Sequence, residues 1–196
     1  MGTPRHVQQH RVRQPARRRS TGLTLLELMI ALGVLSVVMA VTVPSFRDYS
    51  DKKALQRGAE TVAGFIERAR GHARLGQVPV AVSVGGQCLG ARVGSDPCDC
   101  SGAAASCVLT EAGTDVQASL ALADLSGLSL QAPGDGLVFQ QPRGAVVAPA
   151  GGDLASSVTL AAGRWTLRVD LSGLGAVQLC LPQNAPAIGG YSRCLS

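Results

Sequence analysis

From Leu23 to Val43 the chain runs for 21 residues, LTLLELMIALGVLSVVMAVTV, with one charged side chain among them, Glu27. As a helix rising ~1.5 Å per residue, this stretch is about 31 Å long, which matches the ~30 Å hydrocarbon core of a bilayer. It is long enough to span a membrane. A charge inside such a span costs roughly 2.5–3.5 kcal/mol near the middle and less near an end, so the carboxylate calls for a compensating partner.

Three arginines, Arg17, Arg18 and Arg19, stand before the span, followed by Ser20, Thr21 and Gly22. Residues 1–22 hold six arginines and no acid and read as an unstructured leader. The formal charge of +5 belongs to that leader, because residues 23–196 carry 12 basic and 13 acidic side chains and sum to −1. The basic pI therefore gives no support to nucleic-acid binding by the rest of the chain. Arginine on the N-terminal side of the span keeps that end in the cytoplasm and sends the remainder outward. All six cysteines follow residue 87, which suits an exported body in an oxidising compartment such as the periplasm. A length of 196 residues accommodates one anchor and one compact domain.

A basic leader, Gly22, and then Thr24-Leu25-Leu26-Glu27-Leu28 opening a long apolar helix resembles the N-terminus of type IV pilins and type II secretion pseudopilins. The resemblance implies that a prepilin peptidase cuts after Gly22 on the cytoplasmic face and methylates Leu23. Glu27 then falls at the fifth position after the cut. In a filament of such subunits that carboxylate neutralises the N-terminal amine of a neighbour, so two charges costly in lipid become one tolerated pair. The first mature residue in this family is usually phenylalanine, and here it is leucine, of similar hydrophobicity. Two other readings are weaker. The triple arginine lacks the remaining motif of twin-arginine export, and an ordinary signal-peptidase cut after Val38-Met39-Ala40 would free a soluble domain but leave Glu27 without a purpose.

Pro44 follows the span, removes one backbone donor, and predicts a bend of the helix at the membrane surface. Residues 44–75 then form an amphipathic helix, in which Leu55, Ala59, Val62, Ile66, Ala69 and Ala73 recur at spacings of three and four. Gly58, Gly64 and Gly71 are each unfavourable in a helix and are expected to permit close approach of a sheet. Residues 47–74 hold seven basic and four acidic side chains, a net of +3, read as a solvated face rather than a lipid or neighbour contact. After Gly76 the period becomes alternating. Val78 to Val84 reads as a strand with Pro79 near its start, and Gly85-Gly86 turns it into a partner around residues 87–93. Further strands are expected near 116–122, 128–131, 137–140, 145–148, 157–161, 164–171 and 176–181. One long helix followed by many short strands predicts an α+β fold, with residues 76–196 a β-rich antiparallel domain covering the helical stripe.

Pro44-Ser45-Phe46, Glu67-Arg68-Ala69-Arg70, Gly76-Gln77-Val78-Pro79-Val80 and Leu137-Val138-Phe139 with Gly144 look like the GspH/FimT-type minor pseudopilins. This narrower resemblance implies a single-pass inner-membrane protein with its C-terminal domain in the periplasm. Other major and minor pseudopilins and the prepilin peptidase would be its partners, with a position near the tip of a periplasmic pseudopilus. Glu27 and Pro44 would be its assembly residues. The alternative is a FimT-like minor pilin of a type IV pilus, in pilus assembly or DNA uptake. Some FimT-type pilins bind DNA through arginines in a glycine-rich C-terminal loop, but Gly189-Gly190-Tyr191-Ser192-Arg193 offers a single arginine and residues 80–196 net −3. DNA is therefore the disfavoured partner.

Six cysteines are disulfide candidates. Cys180 with Cys194 would close a loop of about 15 residues, contributing ~3 kcal/mol in the chain-entropy model. A Cys98–Cys100 bond is strained by its one-residue gap, which leaves Cys88 with either Cys98 or Cys100 and Cys107 with the other. A zinc site in the same cluster lacks paired C-x₂-C knuckles, so no metal is expected. Asp96 and Asp99, beside Ser95 and Ser101, lack the alternating oxygens of a calcium loop and read as a polar turn. No cofactor and no catalysis are expected: His72 is read as a solvated histidine, and no nucleophile-elbow, zincin or phosphate-loop motif occurs.

Overall fold

The computed structural model describes residues 24–86, 88–101, 106–111, 113–125 and 127–195, so Gly22 and Leu23 lie outside the described residues. The chain divides into two units at Thr42 and Val43. A single α-helix, α1 (Leu25–Gly76), carries the chain through both. Pro44 stands inside this helix and does not interrupt it; its missing N–H leaves the Ala40 carbonyl without the usual partner while the run continues on both sides. The helix stops at Gly76, where Gln77 turns to a φ of 50°. That left-handed step ends the helical hydrogen bonding, and Arg74 in the last turn complements the negative end of the helix dipole.

The sheets cover the apolar stripe of α1. Leu55, Ala59, Val62, Ile66, Ala69 and Ala73 are all buried, at 0–1% exposure. They meet a five-stranded antiparallel sheet ordered β5-β2-β1-β7-β8 and a four-stranded one ordered β11-β10-β9-β6. The first comprises β1 (Val80–Gly85), β2 (Cys88–Val93), β5 (Ser119–Ala121), β7 (Gly136–Gln140) and β8 (Ala145–Val147). The second comprises β6 (Ser129–Gln131), β9 (Ser157–Ala162), β10 (Trp165–Leu171) and β11 (Val177–Cys180). A separate hairpin pairs β3 (Val108–Glu111) with β4 (Thr114–Gln117). In β9 and β10 burial alternates residue by residue, placing Val158, Leu160, Leu167 and Val169 in the core, as the period of two requires. Leu137 and Phe139 from β7 enter the same core. Helix and strands thus form an α+β unit in which the helix packs on an antiparallel β-rich domain.

Burial in β1 and β2 does not alternate. The first four residues of each strand are buried on both faces: Val80, Val82, Leu89 and Ala91 belong to the core cluster while Ala81 and Ser83 are also buried. The outer cover is the cysteine-rich loop. Disulfides join Cys88 to Cys100, Cys98 to Cys107, and Cys180 to Cys194, so of the two pairings left open by spacing the structure adopts Cys88–Cys100. The Cys98 amide donates to Ser83 Oγ at 2.8 Å. Gly90 lies under this loop, and a Cβ there would collide with Cys107 Sγ and come within 3.0 Å of Cys98 Sγ. Of Gly58, Gly64 and Gly71, Gly58 meets the expectation of close approach, since a Cβ would strike the Leu128 side chain. Gly64 and Gly71 do not: nothing lies within 4 Å of either, so no neighbour requires a glycine there.

Candidate functional site

The head of α1 is built by Thr24, Glu27 and Leu28. Thr24 lies just outside the helix, its hydroxyl accepts from the Glu27 amide at 3.2 Å, and its carbonyl accepts from the Leu28 amide at 3.1 Å. Thr24-x-x-Glu27 is the sequence of a capping box, with the acid at the third helical position. Glu27 is thereby held in the first turn, where unpaired backbone amides give the helix its positive end. Beyond it the helix is apolar all round and uncovered: Leu25 is 77% exposed, Met29 66% and Val37 67%. The hydroxyls within this stretch are satisfied internally. Ser36 donates to the Gly33 carbonyl and Thr42 to the Val38 carbonyl, each at 2.8 Å. Glu27 is left as the one charged side chain of residues 25–43, with no side-chain hydrogen bond among the described residues. Such a segment needs lipid or other apolar helices around it.

Where α1 enters the folded unit, Asp48 fastens it to the β9–β10 turn. One carboxylate oxygen accepts from Trp165 Nε1 at 3.0 Å and pairs with Arg164 Nε at 2.8 Å, and the other accepts from Arg164 NH2 at 2.8 Å. The Arg164 guanidinium and the Lys52 ammonium lie 4.7 Å and 5.1 Å from the Trp165 ring centre. Nothing in sequence spacing links residues 48 and 164; the lone tryptophan, an amphipathic ring needing a partner for its N–H, was the available sign. Further along, Arg70 donates to the Leu174 carbonyl at 3.0 Å and Tyr191 to Glu60 at 3.3 Å. Burial, followed by the Glu60 charge, raises the Tyr191 pKa. His72 is not a solvated side chain. It is half-buried, with Nε2 2.7 Å from the Thr110 carbonyl, and so tethers α1 to β3.

The polar clusters of the domain do not assemble a catalytic or metal centre among the described residues. Asp170, Cys180 and Cys194 come within 4.8 Å of one another, but both sulfurs are spent in one disulfide and Asp170 faces Arg168 at 2.6 Å. Asp99 accepts from the amide and hydroxyl of Ser101 at 2.8 and 2.6 Å, a local turn. Those two bonds hold its carboxyl below the usual carboxylate range. In the C-terminal loop one guanidinium nitrogen of Arg193 donates to the Pro182 and Ala185 carbonyls at 2.6 and 2.7 Å and so helps to close the loop.

Residues 17–43 match the prokaryotic N-terminal methylation motif. This is a prepilin-type N-terminus. The matched segment contains Gly22, Leu23, the Thr24 cap and Glu27, and it ends where the folded unit begins. The motif and the uncovered apolar helix fit a membrane-anchored protein. Among solved structures, the chain is similar to the minor pseudopilin EpsH from the type 2 secretion system of Vibrio cholerae, with 13% identity over 66% of this chain and 98% of that one and a TM-score of 0.44. No curated protein sequence matches significantly.

Proposed function

We propose that this chain is a minor pseudopilin of a type II protein secretion system, a structural subunit rather than an enzyme. On this reading a prepilin peptidase cuts after Gly22 and methylates Leu23, the apolar half of α1 anchors the subunit in the inner membrane, and the β-rich unit faces the periplasm. Assembly then draws the helix out of lipid into a bundle of neighbouring helices. The observation that carries the reading is the methylation-motif segment, in which a single acid stands in the first turn of an uncovered apolar helix. The helix N-terminus offsets part of the cost of the carboxylate, by about 0.3–1 kcal/mol. A neighbour's N-terminal amine would supply the rest as a paired charge.

The choice against a DNA-uptake pilus is supported by Arg193, which turns one guanidinium nitrogen onto carbonyls of its own loop. A DNA-uptake pilin needs several free cations acting together on phosphates, and the glycine-rich loop holds one, turned onto its own carbonyls. N-terminal sequencing of the mature chain is the first test: a start at Leu23 supports the proposal, whereas a start at Val41 means ordinary secretion and removes it. Salt-sensitive retention of DNA by the purified protein would instead favour the pilus reading.

A further inference from the structure

Just past the apolar segment, cations collect at one end of the folded unit. Arg47, Lys53 and Arg57 are exposed on α1, Lys52 lies over the Trp165 ring, and the β9–β10 turn brings in Arg164, whose side chain is 65% exposed. The acids in this region are Asp48 and Asp51, so the seven charged residues net +3. Asp48 is already taken up by Arg164 and Trp165. The acids further up the helix are also turned away from this end, with Glu60 bonded to Tyr191 and Glu67 paired with Arg70 at 3.6 Å. Residues 80–196 net −3, and of their arginines Arg168 faces Asp170 and Arg193 faces carbonyls. Within the folded unit charge is therefore polarised: +3 over the group of residues 47–57 with Arg164, and −3 over the remaining residues 58–196.

Two exposed aromatics share the positive end. Phe46 and Tyr49 line a shallow concavity with Ser50, Lys53 and Arg57. Aromatic rings and cations directly after a span are what a membrane–water interface selects. Along the helix, Arg47 stands about 6 Å and Lys53 about 15 Å beyond Val43. A headgroup layer is roughly 5–8 Å deep and the Debye length about 8–10 Å, so the Arg47 and Lys53 side chains lie within the field of an anionic leaflet, and Arg57, about 21 Å along, approaches it by turning its guanidinium back toward Lys53.

We propose that Arg47, Lys52, Lys53, Arg57 and Arg164 form a collar that binds anionic lipid headgroups on the side where the helix leaves the bilayer, holding the folded unit against the membrane before assembly. This rests on the anchor reading of residues 23–43. The sequence alone spread these cations over a solvated helix face; the fold brings Arg164 to this end paired with Asp48, and it engages Glu60 with Tyr191 and Glu67 with Arg70.

The chain has one tryptophan, Trp165, and it sits in the collar. The full chain is reconstituted into lipid nanodiscs, either zwitterionic or with about 30% phosphatidylglycerol, each doped with headgroup-nitroxide lipid. The collar predicts about twofold stronger quenching of Trp165 in the anionic discs, lost in about 0.5 M salt and in the Arg47→Gln/Lys53→Gln/Arg57→Gln variant. None of these three side chains bonds to another element among the described residues, and near-UV circular dichroism checks that the variant keeps its fold. Equal quenching in both lipids, or an unchanged response in the folded variant, overturns the collar and leaves the anchor standing. A chain that does not co-purify with the discs overturns both.

Discussion

Glu27 stands at the third residue of α1 with its amide held by the Thr24 cap, so on the proposed reading its effect on assembly and its effect on the helix are separable. Glu27→Ala is expected to insert and be processed normally yet lose incorporation into filaments by roughly a hundredfold to several thousandfold, since leaving one buried charge of a pair alone costs about 3–5 kcal/mol. Crosslinking of the variant into the filament at the wild-type level would refute the pairing. Thr24→Ala instead costs about 0.5–2 kcal/mol of helix end stability and frays the first turn, visible as faster amide exchange at Glu27 and Leu28. Two glycines make a contrasting pair. Gly71→Ala meets open space and should raise stability by about 1 kcal/mol, whereas Gly58→Ala drives a methyl into Leu128 and should lower it by about 1–3 kcal/mol, both read from thermal unfolding.

At the scale of elements, the helix and most strands were legible because their periods are strong. The six-residue stripe from Leu55 to Ala73 is buried throughout, and the 157–161 and 164–171 strands emerge as β9 and β10. Three things were not legible. β3 follows a cysteine in a stretch with no clear alternation, and its outer residues, Thr110 and Glu111, are exposed. The double cover of β1 and β2 depends on which cysteines pair, which spacing left open. The Asp48–Arg164–Trp165 tie joins residues more than a hundred positions apart. His72 was misread for the same reason: its own neighbours are polar or small, but the carbonyl that receives it lies on β3. Cys180→Ser with Cys194→Ser is expected to cost about 3 kcal/mol in denaturant unfolding. The Tyr191–Glu60 bond is sensitive to alkali. Because the folded pKa of Tyr191 is raised, its contribution is intact below about pH 10 and falls away as pH rises through the folded value. Ultraviolet titration should show one tyrosinate forming late, and Tyr191→Phe should abolish that component.

For the molecule as a whole, one helix has two characters: its first part is apolar on every side, and its second part lends only a stripe to the core. The folded unit beginning at Val43 contains every core residue and all three disulfides. On the proposed topology, the order in which cysteines reach oxidant follows their order along the chain. Cys88, Cys98, Cys100 and Cys107 emerge early enough to pair among themselves, but Cys180 must wait for Cys194. A subunit stalled in transit would therefore display an unmatched thiol at Cys180, open to alkylation, and the disappearance of that reactivity would time the arrival of the tail on the far side.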